Sequence, residues 1–384
     1  MHRPLGGALD ELYPSFPNIL ALTLHGFLIL LQTVFLVSLP ALVLVPVWSA
    51  ALYMTAVLGV NWAVCRVLNG KETVVQSSVE LGREGEGHES EEWIYLNGVS
   101  IGHHWLHSNA NRLAFTFRRP VTAVHNRTWG IIFDLLQCII ERNFCYATSD
   151  IRRSYAVVKK ALLHTEKNKV VLILHSQGGI EGGLILDWLL SELPFDTLHK
   201  LEIYTFGSAS NHFNNPLRDS TKTATTGVTR NPNAVRHIEH YAAAGEFVAR
   251  WGVLTFARME NRYMGRVFIR PGTGHLLNQH YLNCIFPLGP DQHVAENSPF
   301  MNMEAVFTSD GEQEGTRKGY WETLRNGGER TNGAVVEDRR DGVERVGSWG
   351  VQTPVVPSKE KEGKPKVKDF SRLWRYRNGR SPKD

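Results

Sequence analysis

The sequence predicts an α/β fold: a mostly parallel sheet flanked by helices, with an apolar helical hairpin before it and a disordered charged tail after it. Three observations predict this. From Trp93 to Met303, short continuous apolar runs alternate with segments of helical spacing, the pattern of strands buried on both faces and joined by helices. From Leu12 to Cys65, 54 residues contain no Asp, Glu, Lys or Arg. After about Thr308 the chain is rich in Gly and charge, with too few apolar residues to offset its ordering entropy. The expected division is a flank over 1–17, a membrane hairpin over 18–68, an acidic linker over 69–92, an α/β domain over 93–304 and the tail over 305–384.

Each half of the uncharged run, ILALTLHGFLILLQTVFLVSL and VWSAALYMTAVLGVNWAVC, reaches the roughly 20 apolar residues that a helix needs to cross a hydrocarbon core. Pro40 and Pro46 bracket PALVLVP between them, and proline, lacking an amide donor, turns the chain. The element is then a transmembrane pair or a re-entrant wedge, and either puts both ends on one side. Arg3, Arg66 and Lys71 favour the cytosol for that side. A buried helical pair in a soluble protein is the bland alternative. Seven glutamates against one Arg between Glu72 and Glu92 read as a solvated linker.

The domain elements follow in order. WIYLN is a strand, SNANRLAFTF a helix or strand, VTAVH a strand, and IIFDLLQCIIERN a helix. SDIRRSYAVVKKALLHTEKN is a helix capped by Ser149. KVVLILH is a buried strand, GGIEGGLILDWLLSEL a helix, and KLEIYTFG, VRHIEHYA and GRVFI are later strands. The functional edge of such a sheet is the one at the strands' C-terminal ends.

Composition narrows the function class. Net charge is +4, but Pro357–Asp384 holds ten Lys/Arg against four Asp/Glu. The basic excess is therefore one end of the chain, and no nucleic-acid partner is expected for the main body. Phe370, Trp374 and Tyr376 interleave with Arg372, Arg375, Arg377 and Arg380, which suits an anionic surface, although a solvated basic tail is the plainer reading. Cys65, Cys138, Cys145 and Cys284 have no paired spacing, which points to a reducing compartment.

At the functional edge, LILHSQGGIEGG runs from strand to helix through Ser176. A serine on such a turn is lifted above the sheet at a helix N-terminus, where developing negative charge is favoured. The pattern is G-x-S-x-G with Leu174 at its first position. A serine nucleophile needs a base and an orienting acid, placed later in the chain. Glu246 follows the HYA strand end and His275 stands on the Gly-rich turn after GRVFI; these are the expected acid and base. His280, five residues on, is the alternative base, expected instead to pack near Tyr281. The backbone N–H of Gln177 and a second donor from Gly98 and Val99 are the expected oxyanion site.

LNGVSIGHHW, AVHNRTWG, VVLILHSQGGIEGG, YTFGSASNHFNNP, HYAAAGEFVARWGVL and GHLLNQHYLNCIFPL together resemble uncharacterised fungal membrane-associated proteins of the α/β-hydrolase fold, distantly similar to lipases and serine esterases. The resemblance covers about Trp93 to Leu288. It implies that fold, serine hydrolase chemistry and the roles of Ser176, Glu246 and His275; in the resembling proteins the acid position is usually aspartate.

The expected function is a membrane-anchored serine esterase acting on a lipid or other hydrophobic ester, without cofactor or metal. The alternative is a catalytically silent hydrolase-fold membrane scaffold or interaction protein, which Leu174 and Glu246 as departures from the usual pattern favour, and which Leu174 filling the pocket would support. Among smaller signals, His103 and His107 are four apart, as zinc ligands can be, but no third ligand accompanies them in sequence. Asn126-Arg127-Thr128 is a formal glycosylation sequon, and the polar stretch Asn211–Asn233 is a candidate lid or a plain loop.

Overall fold

The computed structural model describes residues 6–81, 87–217, 233–259, 262–307, 333–339 and 365–382. Two long helices come first, α1 (Phe16–Ser38) and α2 (Val47–Asn69), joined by a tight 3₁₀ turn over Leu39–Leu44. Both are long and apolar enough to cross a membrane. Ser15 caps α1 by accepting the Asn18 N–H, with Pro17 in the first turn where its missing donor costs nothing.

The sheet has strands β1 (Val74–Gln76), β2 (Glu91–Leu96), β3 (Val121–Val124), β4 (Lys169–His175), β5 (Leu201–Phe206), β6 (His237–Ala243), β7 (Gly265–Arg270), β8 (Glu304–Phe307) and β9 (Gly333–Arg339). Their order is β1-β3-β2-β4-β5-β6-β7-β9-β8. The six strands from β3 to β7 are mutually parallel, β1 is antiparallel to β3, and β9 is antiparallel to β7. Alternate residues enter two separate cores. Trp93, Tyr95, Val171, Ile173, Tyr204 and Phe206 face one, and Ile94, Leu96, Leu172, Leu174 and Ile203 face the other. That is why the strands read as unbroken apolar runs.

Four more helices matter to the site: α3 (His103–Phe117), α4 (Ile131–Phe144), α5 (Ser149–Leu163) and α6 (Gln177–Glu192). The ambiguous SNANRLAFTF is thus helix. Thr148 caps α5 rather than the expected Ser149, accepting the Ile151 N–H.

Three boundary expectations are corrected. The acidic linker is interrupted by structure, because Val74–Gln76 pairs with β3 and Val79 and Leu81 pack on the core. The hairpin is docked rather than tethered: Gln32 and Asn61 donate to the Trp129 carbonyl, Asn69 donates to that of Thr128, and Asn18 accepts from Trp105. These four polar residues of the two helices thereby face the domain.

The chain's end also departs from expectation. Residues 365–382, expected as part of a solvated tail, are folded onto the sheet, with Val367, Leu373, Trp374 and Tyr376 in the core. Arg372 pairs with Glu202 at 2.9 Å, and Tyr376 Oη donates to the same carboxylate at 2.8 Å. Backbone N–H groups of Arg372 and Leu373 meet Glu239. Burial alone would raise the Glu202 carboxyl, but the Arg372 guanidinium holds it below the usual range. Residues 308–332 and 340–364 of the expected tail lie outside the described residues.

Candidate active site

The turn from β4 into α6 holds Ser176 at φ 57°, ψ −118°. A positive φ on a residue with a Cβ costs about 1–3 kcal/mol and persists only where its surroundings impose it. Here Ser176 N–H donates to Phe206 O, and Ser176 O accepts from the N–H groups of Gly179 and Ala209. The strain lifts the hydroxyl off the strand line and leaves Gln177 as the first residue of α6, where amide donors have no partner within the helix.

Three chain-distant side chains meet there. Ser176 Oγ is 2.8 Å from His275 Nε2, and His275 Nδ1 is 3.0 Å from Glu246 Oε1. The second contact is close but off the line of a straight N–H···O bond. His275 stands on the loop after β7. Glu246 follows β6 and caps the short helix Phe247–Trp251, accepting from the N–H groups of Val248 and Ala249 at 2.5 and 2.7 Å. Tyr281 Oη adds a longer bond of 3.3 Å. Hydroxyl, imidazole and carboxylate in series form an arrangement in which the ring can take the hydroxyl proton while the carboxylate fixes its tautomer.

Gly98, at the turn after β2, is pressed against the serine: a Cβ there would lie 2.5 Å from Ser176 Cβ. Asn97 pins this turn by donating to the Gly98 and Asn126 carbonyls and accepting the Asn126 N–H. Gly98 is therefore brought beside Ser176, with Val99 following it in the chain. Asn126 of the formal sequon is buried in the same network.

Leu174 does not fill the site. Its side chain lies in the core beneath α6, where a Cβ on Gly182 would come within 2.2 Å of Leu174 Cδ1. The missing side chain at Gly182 makes room for a residue larger than the glycine of the usual pattern.

His280 stands apart from the serine contact. Its Nδ1 accepts the Leu276 N–H and its carbonyl accepts from Arg270, so it braces the loop that carries His275. Burial, Arg270 and His275 all lower its pKa. Past His275 the chain enters a wide π-type turn over Leu277–Leu282, which includes His280.

Sequence reasoning missed three supports and one buried carboxyl without a partner. His175 Nε2 meets the His275 carbonyl at 2.7 Å; burial, with His275 beside it, lowers its pKa to about 3, so the ring is neutral and donates there. Tyr281 bridges Ala243 N–H and Glu246. Gln177 Nε2 donates to Glu141 of α4 at 2.9 Å. Glu181 on α6 is fully buried with neither carboxylate oxygen partnered, and burial, with Glu141 and Asp150 nearby, raises its pKa well above the usual range. His175 and Glu181 both interrupt apolar runs, which was the available signal.

The histidine pair does acquire a third group in space. Glu72 Oε2 lies 4.0 Å from His103 Nε2 and 3.9 Å from His107 Nε2. Most of the candidate lid, 218–232, lies outside the described residues. Compared with known proteins, the chain matches no family model and no curated protein.

Proposed function

We propose that this chain is a membrane-anchored serine hydrolase of the α/β-hydrolase fold that cleaves a carboxylic ester, lipid-like in character, through Ser176, His275 and Glu246. The observation that carries the reading is the 2.8 Å contact between Ser176 Oγ and His275 Nε2, with Glu246 3.0 Å behind the ring. Leu174 lies buried under α6 and does not fill the pocket, which takes away one support of the silent-scaffold reading.

In this mechanism His275 Nε2 takes the Ser176 proton as Oγ attacks the ester carbonyl carbon. The oxyanion that forms is met by the N–H groups of Gln177 and Val99, each such donor contributing about 3 kcal/mol to transition-state stabilisation. The imidazolium, held by Glu246, returns its proton to the leaving alkoxide, and the C–O bond breaks to leave an acyl-Ser176. Water deprotonated by His275 then releases the acid. The apolar helices α1 and α2 anchor the domain, and Arg66 and Lys71 favour the cytosolic face for it.

The test is fluorophosphonate labelling of the full chain beside Ser176→Ala. Labelling of the wild type alone is expected. A well-folded wild type that fails to label would overturn the reading. Membrane retention through an alkaline carbonate wash is expected of the same protein.

A further inference from the structure

Helix α4 is inside out. Its inward face carries Asp134, Cys138, Glu141 and Arg142, all buried, whereas Leu135, Leu136, Ile139, Ile140 and Phe144 are exposed. The orientation is fixed by polar partners. Asp134 accepts from Ser100 N–H, Trp129 N–H and Thr128 Oγ1. Glu141 accepts from Gln177, and Arg142 donates to the Trp251 carbonyl with its guanidinium over the Trp251 ring. Turning the helix to hide its leucines would strand these charged groups, so the apolar face stays outward. In water an exposed stripe of this size is unfavourable and marks a surface that something covers.

The neighbourhood says what covers it. α1 packs on the start of α4, where Gln32 accepts the Ile132 N–H and the Phe35 ring meets Phe133 edge-on at 6.2 Å. The outward residues of α1 and α2, including Leu30, Val34, Val37, Trp48 and Leu52, are apolar and exposed as well. The three helices thus present one continuous surface, and no Asp, Glu, Lys or Arg of α4 is exposed on it. Phe247, next to Glu246, is also exposed.

We propose that α4 is a third membrane-contacting element, lying in the bilayer interface beside the hairpin, and that the Ser176 site opens onto lipid through it. This rests on the anchored-hydrolase reading above and deepens it. An apolar outward face without charge suits a helix immersed at the acyl boundary. Because α4 touches Gln177, the neighbour of Ser176, and the carbonyl of Trp251 on the helix that Glu246 caps, the site adjoins the element that meets the bilayer. The substrate class is then an ester whose acyl chain stays in the membrane while its carbonyl reaches Ser176.

The test uses the full chain in phosphatidylcholine vesicles, with an environment-sensitive fluorescent amino acid replacing Leu136 or Ile140, Leu30 as the hairpin reporter, and Ser191 as an exposed control. Lipid-borne nitroxide should quench at Leu136, Ile140 and Leu30, and aqueous iodide only at Ser191. Iodide quenching at Leu136 and Ile140 while Leu30 stays in lipid overturns the role of α4 and leaves the anchor standing. Iodide quenching at all sites overturns both. Protection of α4 from both quenchers means a protein surface covers it and overturns the inference. In parallel, the double variant Leu136→Asp/Ile140→Asp should lower hydrolysis of a vesicle-embedded long-chain ester at least tenfold while leaving hydrolysis of a soluble short-chain ester unchanged. Equal loss on both substrates, or on neither, counts against lipid access through α4.

Discussion

Helices α4 and α5 are consecutive in the chain, 14 and 15 residues long, and both amphipathic, yet they turn opposite faces to the protein. α5 buries Ile151, Val158 and Leu162 and exposes Arg152 and Lys160; α4 buries Asp134, Glu141 and Arg142 and exposes leucine and isoleucine. What lies opposite decides the matter. α5 rests on apolar strand residues such as Ile94 and Leu172. α4 faces loop N–H groups, the Gln177 amide and a backbone carbonyl. One helix therefore supports packing, and the other meets polar groups, among them the side chain of Gln177 next to Ser176.

If that division holds, the largest effect belongs to the groups at the sheet edge near α4. His275→Ala should abolish labelling of Ser176 and cost about 10²- to 10⁴-fold in turnover with the fold intact. His280→Ala should label normally, so a silent but folded His280→Ala protein beside a labelling His275→Ala one would reverse the assignment. Glu246→Gln should follow with a loss of orders of magnitude, because the imidazole tautomer is no longer fixed. Glu246→Asp should retain part of the activity, and full turnover in the Gln variant would point to another acid.

On α5 the expected loss is in stability alone. Leu162 is completely buried, so Leu162→Ala should cost about 2–5 kcal/mol in chemical denaturation with turnover per folded molecule unchanged. A catalytic defect larger than the folded fraction explains would break the division.

Glu181, near the inner face of α4, gives a pH signature. Burial raises its folded-state pKa far above that of the unfolded chain. The folded state then holds a proton that the unfolded state releases, so the contribution of Glu181 to stability falls as pH rises past the unfolded value of about 4, by up to about 1.4 kcal/mol per pH unit. Glu181→Gln should flatten that slope in denaturation curves taken between pH 4 and 7; an unchanged slope would mean that Glu181 ionises freely in the fold. The smallest effect is expected on the outer face of α4, where Ile139→Ala should change stability by no more than about 0.5 kcal/mol in detergent. A cost like that of Leu162→Ala would show that protein buries Ile139.

The legible parts of the site were those carried by short motifs at strand ends. LILHSQGG placed Ser176 on a strand-to-helix turn, and Glu246 and His275 each follow a strand that reads clearly from its apolar run. The chain's end was misread for a definite reason. Arg372 and Arg377 sit in a basic segment that looks solvated, and their partners, Glu202 and Glu296, are far away in sequence. The clue lay in the strands: KLEIYTFG and VRHIEHYA each carry a glutamate inside an apolar run, and a buried carboxylate requires a cation or several donors.

Sequence by itself determined the periodicities: which runs become strands, which become helices, where the uncharged hairpin lies and which serine stands on a sharp turn. These follow from local sterics and from spacing along a single element. Tertiary structure alone decided which face of α4 looks inward, that Gly182 accommodates Leu174, that Glu72 joins His103 and His107, and that 365–382 covers Glu202 and Glu239. Each of these depends on which groups the sheet order sets opposite one another, and a polar group's free energy of burial is fixed by the partner it meets there.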